Sequence, residues 1–428
     1  MKQQLHTGHK KPATVIVVGG GAAGIIASTT ASINGARTVL VEKKDRLGMK
    51  ILISGGGKCN LTHDGDMQSL AAQFRRNESL FLKPAFYSFT NKDFLKLLHD
   101  RGMHTYVRPD GRVFPVDPSD AKDVVSLLSD YVNECRVSVT TDNAVTRLLV
   151  QDGRAVGVET QTGSIFADCV IVSVGGSSYP ATGTTGDGWR WLDHIGHTIV
   201  PIRAALAPIY LDEGRPEWSG IAIRDAIMCV RMGDAGKEIV KWRGDVLFTH
   251  KGLSGPSALA VSRNAAELLS LNSSNRPIVE LDLSPDEPFE QLHARLSNEV
   301  RANPRKLVSA LASPFVPARL VMPLVKSANI EPDTLCAYIT SKGLKSLVSQ
   351  IKRWNLGPVR AVPLERGEVV AGGVSLEEVD SQTMQSKLYP NLYLCGEVLD
   401  IAGPVGGYNL QAAWSTGYVA GLSAARSH

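Results

Sequence analysis

The stretch Val15-Ile-Val-Val-Gly-Gly-Gly-Ala-Ala-Gly24, close to the start of the chain, decides the fold. Its apolar beginning is typical of a buried parallel strand, and the small residues that follow it, 25–33, are typical of a helix. Between them, Gly19 allows a tight turn, Gly21 leaves room for a diphosphate, and Gly24 lets the helix pack close to the strand. This order predicts a Rossmann-like α/β unit with a diphosphate at the helix N-terminus.

An acidic residue stands where a dinucleotide site requires one. A second apolar strand, 37–41, ends in Glu42, eighteen residues after Gly24. A carboxylate at this position accepts hydrogen bonds from ribose hydroxyls and disfavours a 2′-phosphorylated ribose. A tight strand-to-helix corner without a ligand is the simpler interpretation of the glycines alone. The strand, the helix and Glu42 in register favour a dinucleotide site instead.

Two further glycine signatures lie near the other end of the chain. Leu392-Tyr-Leu-Cys-Gly-Glu397 predicts a buried strand that ends in glycine, and Gly406-Gly-Tyr-Asn-Leu410 leads into a predicted helix, 409–425. Free N–H groups in the first turn of this helix would face the pyrimidine ring of a flavin, where reduction places negative charge. With the N-terminal signature, this pattern predicts bound FAD. The intervening sequence has no second dinucleotide fingerprint, so we expect NAD(P)H to bind only transiently, as a reductant.

A third glycine-rich loop, Ser54-Gly-Gly-Gly-Lys-Cys-Asn60, is so bare of side chains that its backbone N–H groups can approach a planar ring or an anion. A flexible surface loop is the alternative, but the apolar run 51–53 anchors this one. Another predicted strand, starting at Cys169, ends in Gly175-Gly176 and returns to the same sheet. The predicted cofactor-binding residues are Gly19, Gly21, Ala22, Ala23, Gly24, Glu42, Lys43, Lys50, Ser54, Gly55, Gly56, Gly57, Asn60, Val145, Gly175, Gly176, Gly396, Glu397, Gly407, Tyr408, Asn409 and Leu410.

The pattern along the chain predicts three domains. The Rossmann-like domain contains a β-meander, predicted from four stretches of alternating polarity between residues 137 and 167. Short strands with Gly and Pro turns then predict a β-rich domain, and apolar residues at helical spacing predict a small helical domain. The predicted bounds are 14–200 and 360–428 for the first, 201–285 and about 345–359 for the second, and 286–344 for the third.

Composition narrows the class of protein. Of the 428 residues, 43% are hydrophobic and 21% charged, as in globular proteins that bury a core. The net charge is only +4, and basic residues occur along the whole chain, so we expect a small-molecule substrate and no nucleic-acid partner. No apolar stretch is long enough to span a membrane, and residues 1–13 lack the apolar core of a signal peptide. These features predict a frayed N-terminal tail, a cytoplasmic location and no membrane partner, and leave the oligomeric state open.

Six cysteines are scattered along the chain, with no Cys-x-x-Cys pair and no histidines at ligand spacing. This pattern favours reduced thiols and no metal site. Cys59, in the third glycine-rich loop, is a candidate catalytic residue because a thiol beside a flavin can carry electrons. A disulfide reductase needs a second cysteine nearby, however, and this loop has none. A role in packing or flavin contact is therefore favoured over redox chemistry.

Two other residues are candidate catalytic proton donors. His250 lies in the polar loop 248–256 and would donate a proton as hydride leaves flavin N5. A hydrogen-bonded loop histidine is the alternative interpretation. Tyr408, beside the predicted helix N-terminus, is the second candidate. Arg112 and Lys58 would neutralise an acidic substrate, unless they are ordinary surface charges.

Seven motifs follow one another along the chain: Gly19-Gly-Gly-Ala-Ala-Gly24, Ile53-Ser-Gly-Gly-Gly-Lys-Cys-Asn-Leu-Thr62, Gly111-Arg-Val-Phe-Pro115, Thr182-Gly-Thr-Thr-Gly-Asp-Gly188, Phe248-Thr-His-Lys-Gly-Leu-Ser-Gly-Pro256, Gly396-Glu-Val-Leu-Asp400 and Gly406-Gly-Tyr-Asn-Leu410. Over about residues 14–424 the chain resembles the bacterial BaiN-type flavoproteins, which are NAD(P)/FAD-dependent or aminoacetone-oxidase-like oxidoreductases. The resemblance implies an FAD-binding Rossmann-like domain interrupted by a β-rich, barrel-like domain and a small helical one. It implies little about the substrate.

Three functions are consistent with these residues. The first is an FAD-dependent reductase, in which NAD(P)H reduces FAD and hydride passes from flavin N5 to an electron-poor small molecule such as one with a C=C bond. The second is an FAD-dependent amine oxidase that passes electrons to oxygen. The third is a flavoprotein that acts on RNA, against which the missing paired cysteines and the dispersed charge count.

Overall fold

The computed structural model describes residues 12–233, 236–271 and 275–427. Residues 1–11 of the predicted N-terminal tail lie outside the described part. The chain divides into two compact units. The first comprises the chain up to Ile202 and from Val369 onward, and the second comprises Arg203–Glu368. The first unit is therefore built from two separate segments of the chain.

The strands are numbered along the chain. They are β1 (Thr14–Val18), β2 (Arg37–Val41), β3 (Thr62–His63), β4 (Thr105–Val107), β5 (Arg112–Pro115), β6 (Ser138–Thr140), β7 (Val145–Gln151), β8 (Arg154–Thr160), β9 (Gly163–Phe166), β10 (Cys169–Val172), β11 (Ile199–Ala205), β12 (Ile209–Leu211), β13 (Ala222–Met232), β14 (Glu238–Thr249), β15 (Gly252–Ser254), β16 (Pro277–Asp282), β17 (Trp354–Ala361), β18 (Val369–Val374) and β19 (Leu392–Leu394).

The helices are numbered in the same way. They are α1 (Ala22–Ile33), α2 (Met67–Ala71), α3 (Arg76–Ser88), α4 (Asn91–His99), α5 (Ala121–Glu134), α6 (Asp187–His194), α7 (Pro256–Ser270), α8 (Phe289–Ala302), α9 (Val308–Ala312), α10 (Ala318–Ser327), α11 (Ser341–Lys352) and α12 (Tyr408–Arg426). Among the residues that the structure describes, no helix is both long enough and apolar enough to cross a membrane.

A five-stranded parallel sheet organises the first unit, in the order β19-β10-β1-β2-β6. Val15 of β1 pairs with Thr38 of β2 on one side and with Cys169 of β10 on the other. β10 and β19 are buried along their whole length, which is why each is a continuous apolar run. From β1 the chain proceeds to β2 on one side and later to β10 on the other. This reversal opens a crevice at the carboxyl ends of β1 and β10.

Helices α1 and α12 of the first unit run parallel and in close contact. A Cβ atom added to Gly417 would lie 2.3 Å from Ala23 O, and one added to Gly421 would lie 2.2 Å from Ala27 O. Both distances are far below van der Waals contact, so the observed packing of α12 requires glycine at these positions. Because Gly417 meets Ala23 and Gly421 meets Ala27, the two helices point in the same direction.

Replacing Gly417 with alanine is expected to destabilise the protein by about 1–3 kcal/mol, because the added methyl group forces two helix backbones apart. Urea unfolding followed by circular dichroism measures the change. Ser423→Ala, on a partly exposed position of the same helix, is the matched control, with an expected change below about 0.5 kcal/mol. Equal stabilities of Gly417→Ala and the wild type would contradict the close approach of the two helices.

Strands β7, β8 and β9 form a three-stranded antiparallel sheet. At the turn between β7 and β8, Asp152 and Gly153 have φ angles of 49° and 71°, as a type I′ hairpin turn requires. The predicted meander is confirmed for its last three stretches. It is wrong for the first stretch, because β6 pairs in parallel with β2. A short edge strand with one buried face shows the same alternation in either kind of sheet.

The second unit contains a closed barrel of six strands, in the order β12-β15-β14-β13-β16-β17. Its neighbouring pairs are antiparallel, and helices α7–α11 complete the unit. One apolar core joins barrel and helices: Val230 and Trp354 of the barrel and Leu292, Leu320 and Leu347 of the helices are at most 1% exposed. The barrel-like architecture is confirmed, whereas the division of this region into a β-rich and a helical domain stays a prediction.

A buried histidine ties the residues after α6 to the segment before β19, within the first unit. His197 Nδ1 donates to Glu378 Oε2 at 2.9 Å, and Nε2 lies 2.9 Å from Ser386 Oγ. Ser386 Oγ already accepts from the N–H groups of Leu388 and Tyr389, so its own hydrogen is directed at Nε2. Burial lowers the pKa of His197 and outweighs the Glu378 carboxylate, which raises it. The folded protein therefore favours neutral His197.

The stability of the protein is expected to fall as the pH drops below about 6.5, the ordinary pKa of histidine. In that range the unfolded chain takes up a proton at His197 that the folded chain does not. His197→Gln should lose less stability than the wild type between about pH 7.5 and pH 5.5, measured by urea unfolding. His194→Gln, at an exposed position in the last turn of α6, should behave like the wild type. Parallel pH profiles of His197→Gln and the wild type would exclude this source of acid sensitivity.

Candidate functional site

The turn between β1 and α1 leaves open space in front of the helix. Gly19 has a φ of +97°, and its N–H donates to Val41 O at 2.8 Å. A Cβ atom on Gly24 would lie 1.8 Å from Gly19 O, so the helix packs directly onto the turn. A Cβ atom on Gly21 would meet nothing within 4 Å, and no side chain caps the helix there. The N–H groups of the first turn, 22–24, therefore remain for an anionic ligand.

Glu42 is fixed at the carboxyl end of β2. Its Oε2 accepts from Gly20 N–H at 2.7 Å, and its Oε1 accepts from Lys44 N–H at 2.8 Å. Each oxygen keeps a lone pair that can accept a hydrogen bond from a ribose hydroxyl. Val145 begins β7 two residues after Asn143, whose N–H donates to the Glu42 carbonyl at 3.1 Å. The structure thus brings Glu42 and Val145 near the same end of the sheet.

Lys43 is engaged by a neighbouring loop. Its Nζ lies 2.6 Å from Asp187 Oδ2 and 2.7 Å from Thr185 Oγ1. Burial raises the pKa of Asp187, but hydrogen bonds from Lys43 and Thr185 and the Lys43 charge leave that pKa lowered overall. Lys43 therefore balances a protein carboxylate, and its contact with the cofactor stays a prediction.

The third glycine-rich loop contains a run of left-handed residues, since residues 55–57 have φ angles of 57°, 68° and 86°. Around the last two of them, an added Cβ atom would meet no atom within 4 Å. Ser54 Oγ turns back to donate to Ile51 O at 2.8 Å. Asn60 links the loop to the start of α12: in the amide orientation that satisfies both groups, its oxygen accepts from Gly407 N–H at 2.9 Å. The bare loop and the N-terminus of α12 are therefore neighbours.

Helix α12 begins directly after Gly407, which has a φ of 91° and no side-chain cap. A Cβ atom on Gly407 would lie 2.4 Å from Thr62 O, so this approach requires glycine. Asn409 holds the preceding loop in place, since its Oδ1 accepts from Gly403 N–H at 2.8 Å and its Nδ2 donates to Gly403 O at 2.9 Å. The first-turn N–H groups of α12, up to Leu410, lack intrahelical acceptors as those of α1 do.

The open ends of α1 and α12 are displaced along the shared helix direction. Gly417, nine residues after the start of α12, lies beside Ala23, one residue after the start of α1. Helix α12 therefore extends about eight residues further than α1 on the N-terminal side. At about 1.5 Å per residue, this displacement is about 12 Å. Such a separation suits a ligand with a diphosphate at one end and a flavin ring at the other. The residues present therefore fit FAD: its diphosphate would lie at α1, and its ring would lie between α12 and the loop 54–60.

A polar network joins the loops that follow β10 and β19. Glu397 Oε2 accepts from Lys50 Nζ at 2.7 Å and from Gly176 N–H at 3.3 Å, and Oε1 accepts from Val370 N–H at 3.0 Å. Lys50 Nζ also donates to Ser178 Oγ at 2.6 Å. Protein groups thus occupy both oxygens of Glu397, which holds the loops in place. The contacts of Glu397 and Lys50 with the cofactor stay predictions.

The same loops carry groups that a ligand can use. Gly175 and Gly396 adopt positive φ angles of 73° and 74°, and Gly396 N–H donates to Thr416 Oγ1 of α12 at 3.0 Å. Ser177 Oγ is buried and has no hydrogen-bond partner among the described residues. An orphaned hydroxyl beside a glycine loop is the kind of group that a bound cofactor satisfies.

His63, which the sequence analysis missed, packs against Tyr408. Their ring centroids lie 4.5 Å apart with planes 20° apart, and His63 Nδ1 donates to Gly406 O at 2.9 Å. The Tyr408 hydroxyl makes no hydrogen bond within the described part of the chain, and burial raises the pKa of Tyr408. Tyr408 is therefore a protonated phenol at neutral pH, and His63 stacks on its ring at the N-terminus of α12. No spacing rule connects positions 345 residues apart, so the sequence offers no signal for this pair.

Comparison with known proteins shows the family to which this chain belongs. The family described as "HI0933-like protein Rossmann domain" matches residues 13–423. The chain belongs to this family. It is a family of FAD-binding oxidoreductases, so the predicted resemblance, the fold class and an FAD-dependent enzyme are confirmed.

Two curated relatives span nearly the whole chain. The "Ribosomal RNA dihydrouridine synthase" of Escherichia coli strain K12 is 30% identical over 407 residues, which cover 94% of this chain and 96% of that protein. The "3-dehydro-bile acid delta(4,6)-reductase" of Clostridium scindens is 28% identical over 406 residues, with the same coverage of 94% and 96%. Among solved structures, 3-ketosteroid delta1-dehydrogenase from Sterolibacterium denitrificans superposes with a TM-score of 0.54 at 14% identity, over 97% of this chain and 100% of that one. This last likeness shows the shared fold.

Cys59, one of the three predicted catalytic residues, is fully buried. Burial raises the pKa of its thiol to about 12, although a hydrogen bond with Ser54 lowers it. A thiol in this state is protonated at neutral pH and a poor nucleophile. All six cysteines are free, and the described residues contain no group of three or more His, Cys, Asp or Glu side chains able to hold a metal ion. The structure gives Cys59 the surroundings of a packing residue.

His250 belongs to a different unit of the chain from the predicted cofactor-binding residues. It is exposed on the turn between β14 and β15 of the second unit, whereas all the predicted cofactor-binding residues belong to the first unit. Its role as a proton donor stays a prediction. Arg112 pairs with Asp110 on the turn between β4 and β5, and Lys58 is exposed.

Gly21→Ala is expected to weaken FAD binding at least about tenfold without changing the stability of the apoprotein. The added methyl group meets no protein atom within 4 Å, and the φ of −81° at Gly21 suits alanine. The methyl group would, however, enter the space in front of α1 where the diphosphate would bind. Titration of the apoprotein with FAD, followed by quenching of flavin fluorescence, measures the affinity. Gly417→Ala is the opposite control, since it should lower the stability of the apoprotein itself. Wild-type FAD affinity in Gly21→Ala would rule out this diphosphate position.

Proposed function

We propose that the protein uses FAD and NAD(P)H to reduce a carbon–carbon double bond conjugated to a carbonyl group. The observation that carries the proposal is a feature common to the names of two relatives that each cover 94% of the chain. One is named a reductase of a 3-dehydro-bile acid. The other is named for dihydrouridine, which is uridine with its C5=C6 bond reduced. Both names describe the addition of hydride and a proton to an electron-poor double bond.

The chemistry divides between cofactor and chain. When bound, FAD supplies the hydride. The uncapped N-terminus of α12 brings the positive end of a helix dipole to the glycine loop 54–60, where it would stabilise negative charge on the flavin ring. Tyr408 Oη would deliver the proton to the carbon next to the carbonyl, because its raised pKa keeps the phenol protonated and its hydroxyl has no competing partner among the described groups. His63, stacked at 4.5 Å, would hold the ring in position.

In the first candidate reaction, NAD(P)H is the reductant and a small molecule is the substrate. The chain has one dinucleotide fingerprint, at 19–24, which the FAD diphosphate would occupy. A nicotinamide would therefore bind transiently, reduce the flavin and leave. The bile acid relative supports a small enone, a C=C bond conjugated to a ketone, as the acceptor.

Uridine in ribosomal RNA is the second candidate substrate. It is favoured by the relative at 30% identity, whose name specifies that reaction in RNA. The pyrimidine C5=C6 bond is conjugated to the C4 carbonyl group, so the same proton donor and the same helix dipole would serve. The two candidates differ in what must bind outside the site, since an RNA substrate needs a large cationic surface.

Tyr408→Phe is expected to lower the rate of double-bond reduction by about 10²-fold, as the loss of a general acid does, while the reduction of the flavin by NAD(P)H stays at the wild-type rate. Anaerobic stopped-flow absorbance separates the two half-reactions: NAD(P)H bleaches the flavin band, and a small enone or a uridine-containing ribosomal RNA restores it. Tyr418→Phe, which removes a hydroxyl from the same helix, is the matched control and should leave both rates unchanged.

Other outcomes would reassign the function. A flavin that NAD(P)H does not bleach, but that amines reduce and oxygen reoxidises, would replace the reductase with the amine oxidase. Equal slowing by Tyr408→Phe and Tyr418→Phe would remove Tyr408 from proton transfer and leave the double-bond reduction standing.

A further inference from the structure

One segment of the second unit has an excess of basic residues. Residues 299–345 contain seven of the 46 basic residues and three of the 42 acidic ones, so the rest of the chain has 39 of each. The segment from the end of α8 to the start of α11 therefore has a net charge of +4, the same value as the whole chain. Basic residues also occur along the rest of the chain, but there the acidic residues equal them in number.

Several of these cations have no carboxylate partner. Lys306 pairs with Glu299 at 2.6 Å, and Arg319 donates to a backbone carbonyl. The others are exposed and make no ion pair or side-chain hydrogen bond within the described residues; they are Arg301, Arg305, Lys326, Lys342 and Lys345. Unpaired surface cations keep their charge available to an anionic partner.

Four of the five cations come together at one end of a helix pair. Lys352, at the last residue of α11, donates to Ser284 O at 2.6 Å and Glu287 O at 2.9 Å, just before α8 begins. At the other end, the turn 336–338 before α11 lies against the loop after α8, and the two helices pack against each other. Helices α8 and α11 are therefore antiparallel, which puts the start of α11, with Lys342 and Lys345, beside the end of α8, with Arg301. The loop that follows α8 carries Arg305.

An aromatic ring stands at the same place. Ala337 N–H donates to Pro304 O at 2.9 Å and Cys336 N–H donates to Lys306 O at 2.8 Å, so residues 336–338 lie against the Arg305 loop. The side chain of the next residue, Tyr338, is 76% exposed, more than any other large apolar residue that is exposed in the described part of the chain. We call the set Arg301, Arg305, Tyr338, Lys342 and Lys345 the α8–α11 patch. The nearby acids Glu331 and Asp333 lie on the turn before residue 336.

We propose that the α8–α11 patch binds single-stranded RNA, with a base stacked on Tyr338 and phosphates at the surrounding cations. An exposed aromatic ring among unpaired cations matches what single-stranded nucleic acid presents, because every base has a face to stack and every nucleotide carries a phosphate. An acidic peptide would use the cations but leave the ring in water. The proposal rests on the second candidate substrate, uridine in ribosomal RNA, and gives the surface that would hold the strand.

The test uses the full-length holoenzyme and a fluorescein-labelled single-stranded RNA of about 20 nucleotides. Fluorescence anisotropy gives Kd at KCl concentrations from about 50 to 200 mM. Arg305→Ala/Lys342→Ala is expected to raise Kd at least about tenfold and to reduce the slope of log K against log salt by about 1.4, since two phosphate contacts are lost. Tyr338→Ala is expected to raise Kd at least about fivefold with the wild-type slope, and Tyr338→Phe to bind like the wild type.

The matched control is Arg76→Ala/Lys122→Ala, which removes the same charge from exposed positions in the first unit. It should bind RNA like the wild type. Equal losses in this control and in the patch variant would overturn the proposal, and so would a wild type that binds anionic phosphatidylserine vesicles through Tyr338 more tightly than RNA. Dihydrouridine formation in ribosomal RNA is scored separately. Patch-dependent RNA binding without dihydrouridine would retain the surface and reject the RNA substrate, whereas dihydrouridine formation by the patch variant at the wild-type rate would do the reverse.

Discussion

The close parallel packing of α1 and α12 is the constraint on which the candidate site depends. Two glycines of α12 bring its backbone onto the Ala23 and Ala27 carbonyls, which fixes both the direction and the axial offset of the helices. The direction makes both N-termini open toward the same end of the sheet. The offset separates them by the reach of a dinucleotide-like ligand rather than placing them side by side. Helix packing thus sets the distance between two electropositive ends.

Those ends are left without side-chain caps, although a capping residue typically stabilises a helix by about 1 kcal/mol. Glycine occupies both cap positions, Gly21 and Gly407, and both helices lack acidic residues in the first turn. An acidic or hydroxyl side chain would compete with a ligand for the N–H groups of the first turn. The missing caps leave these N–H groups to a ligand: a bound anion at α1 and a reduced flavin ring at α12 would accept hydrogen bonds in place of capping side chains.

Sequence reasoning succeeded where the signal is local. The strand, turn, helix and Glu42 of the first βαβ unit follow one another within about thirty residues, and glycine spacing carries a steric meaning. It failed where contacts join distant positions. His63 meets Tyr408 only because β3 and the start of α12 converge, and the edge position of β6 depends on β2. The excess of basic residues over 299–345 does not show in the net charge of the chain, because a total over the chain has no spatial content.

The first unit is completed by the last part of the chain. Strand β19 and helix α12 follow β1 by more than 370 residues, and the continuous second unit, Arg203–Glu368, is synthesised before them. On the ribosome, the barrel and its helices can fold while the sheet of the first unit still lacks its edge strand β19 and one of the helices that cover it. The edge of β10 stays unpaired and the face of α1 stays bare until β19 and α12 have been synthesised. An FAD ring that used the N-terminus of α12 could therefore bind only after this helix has been synthesised, and until then the first unit exposes a strand edge and apolar surface.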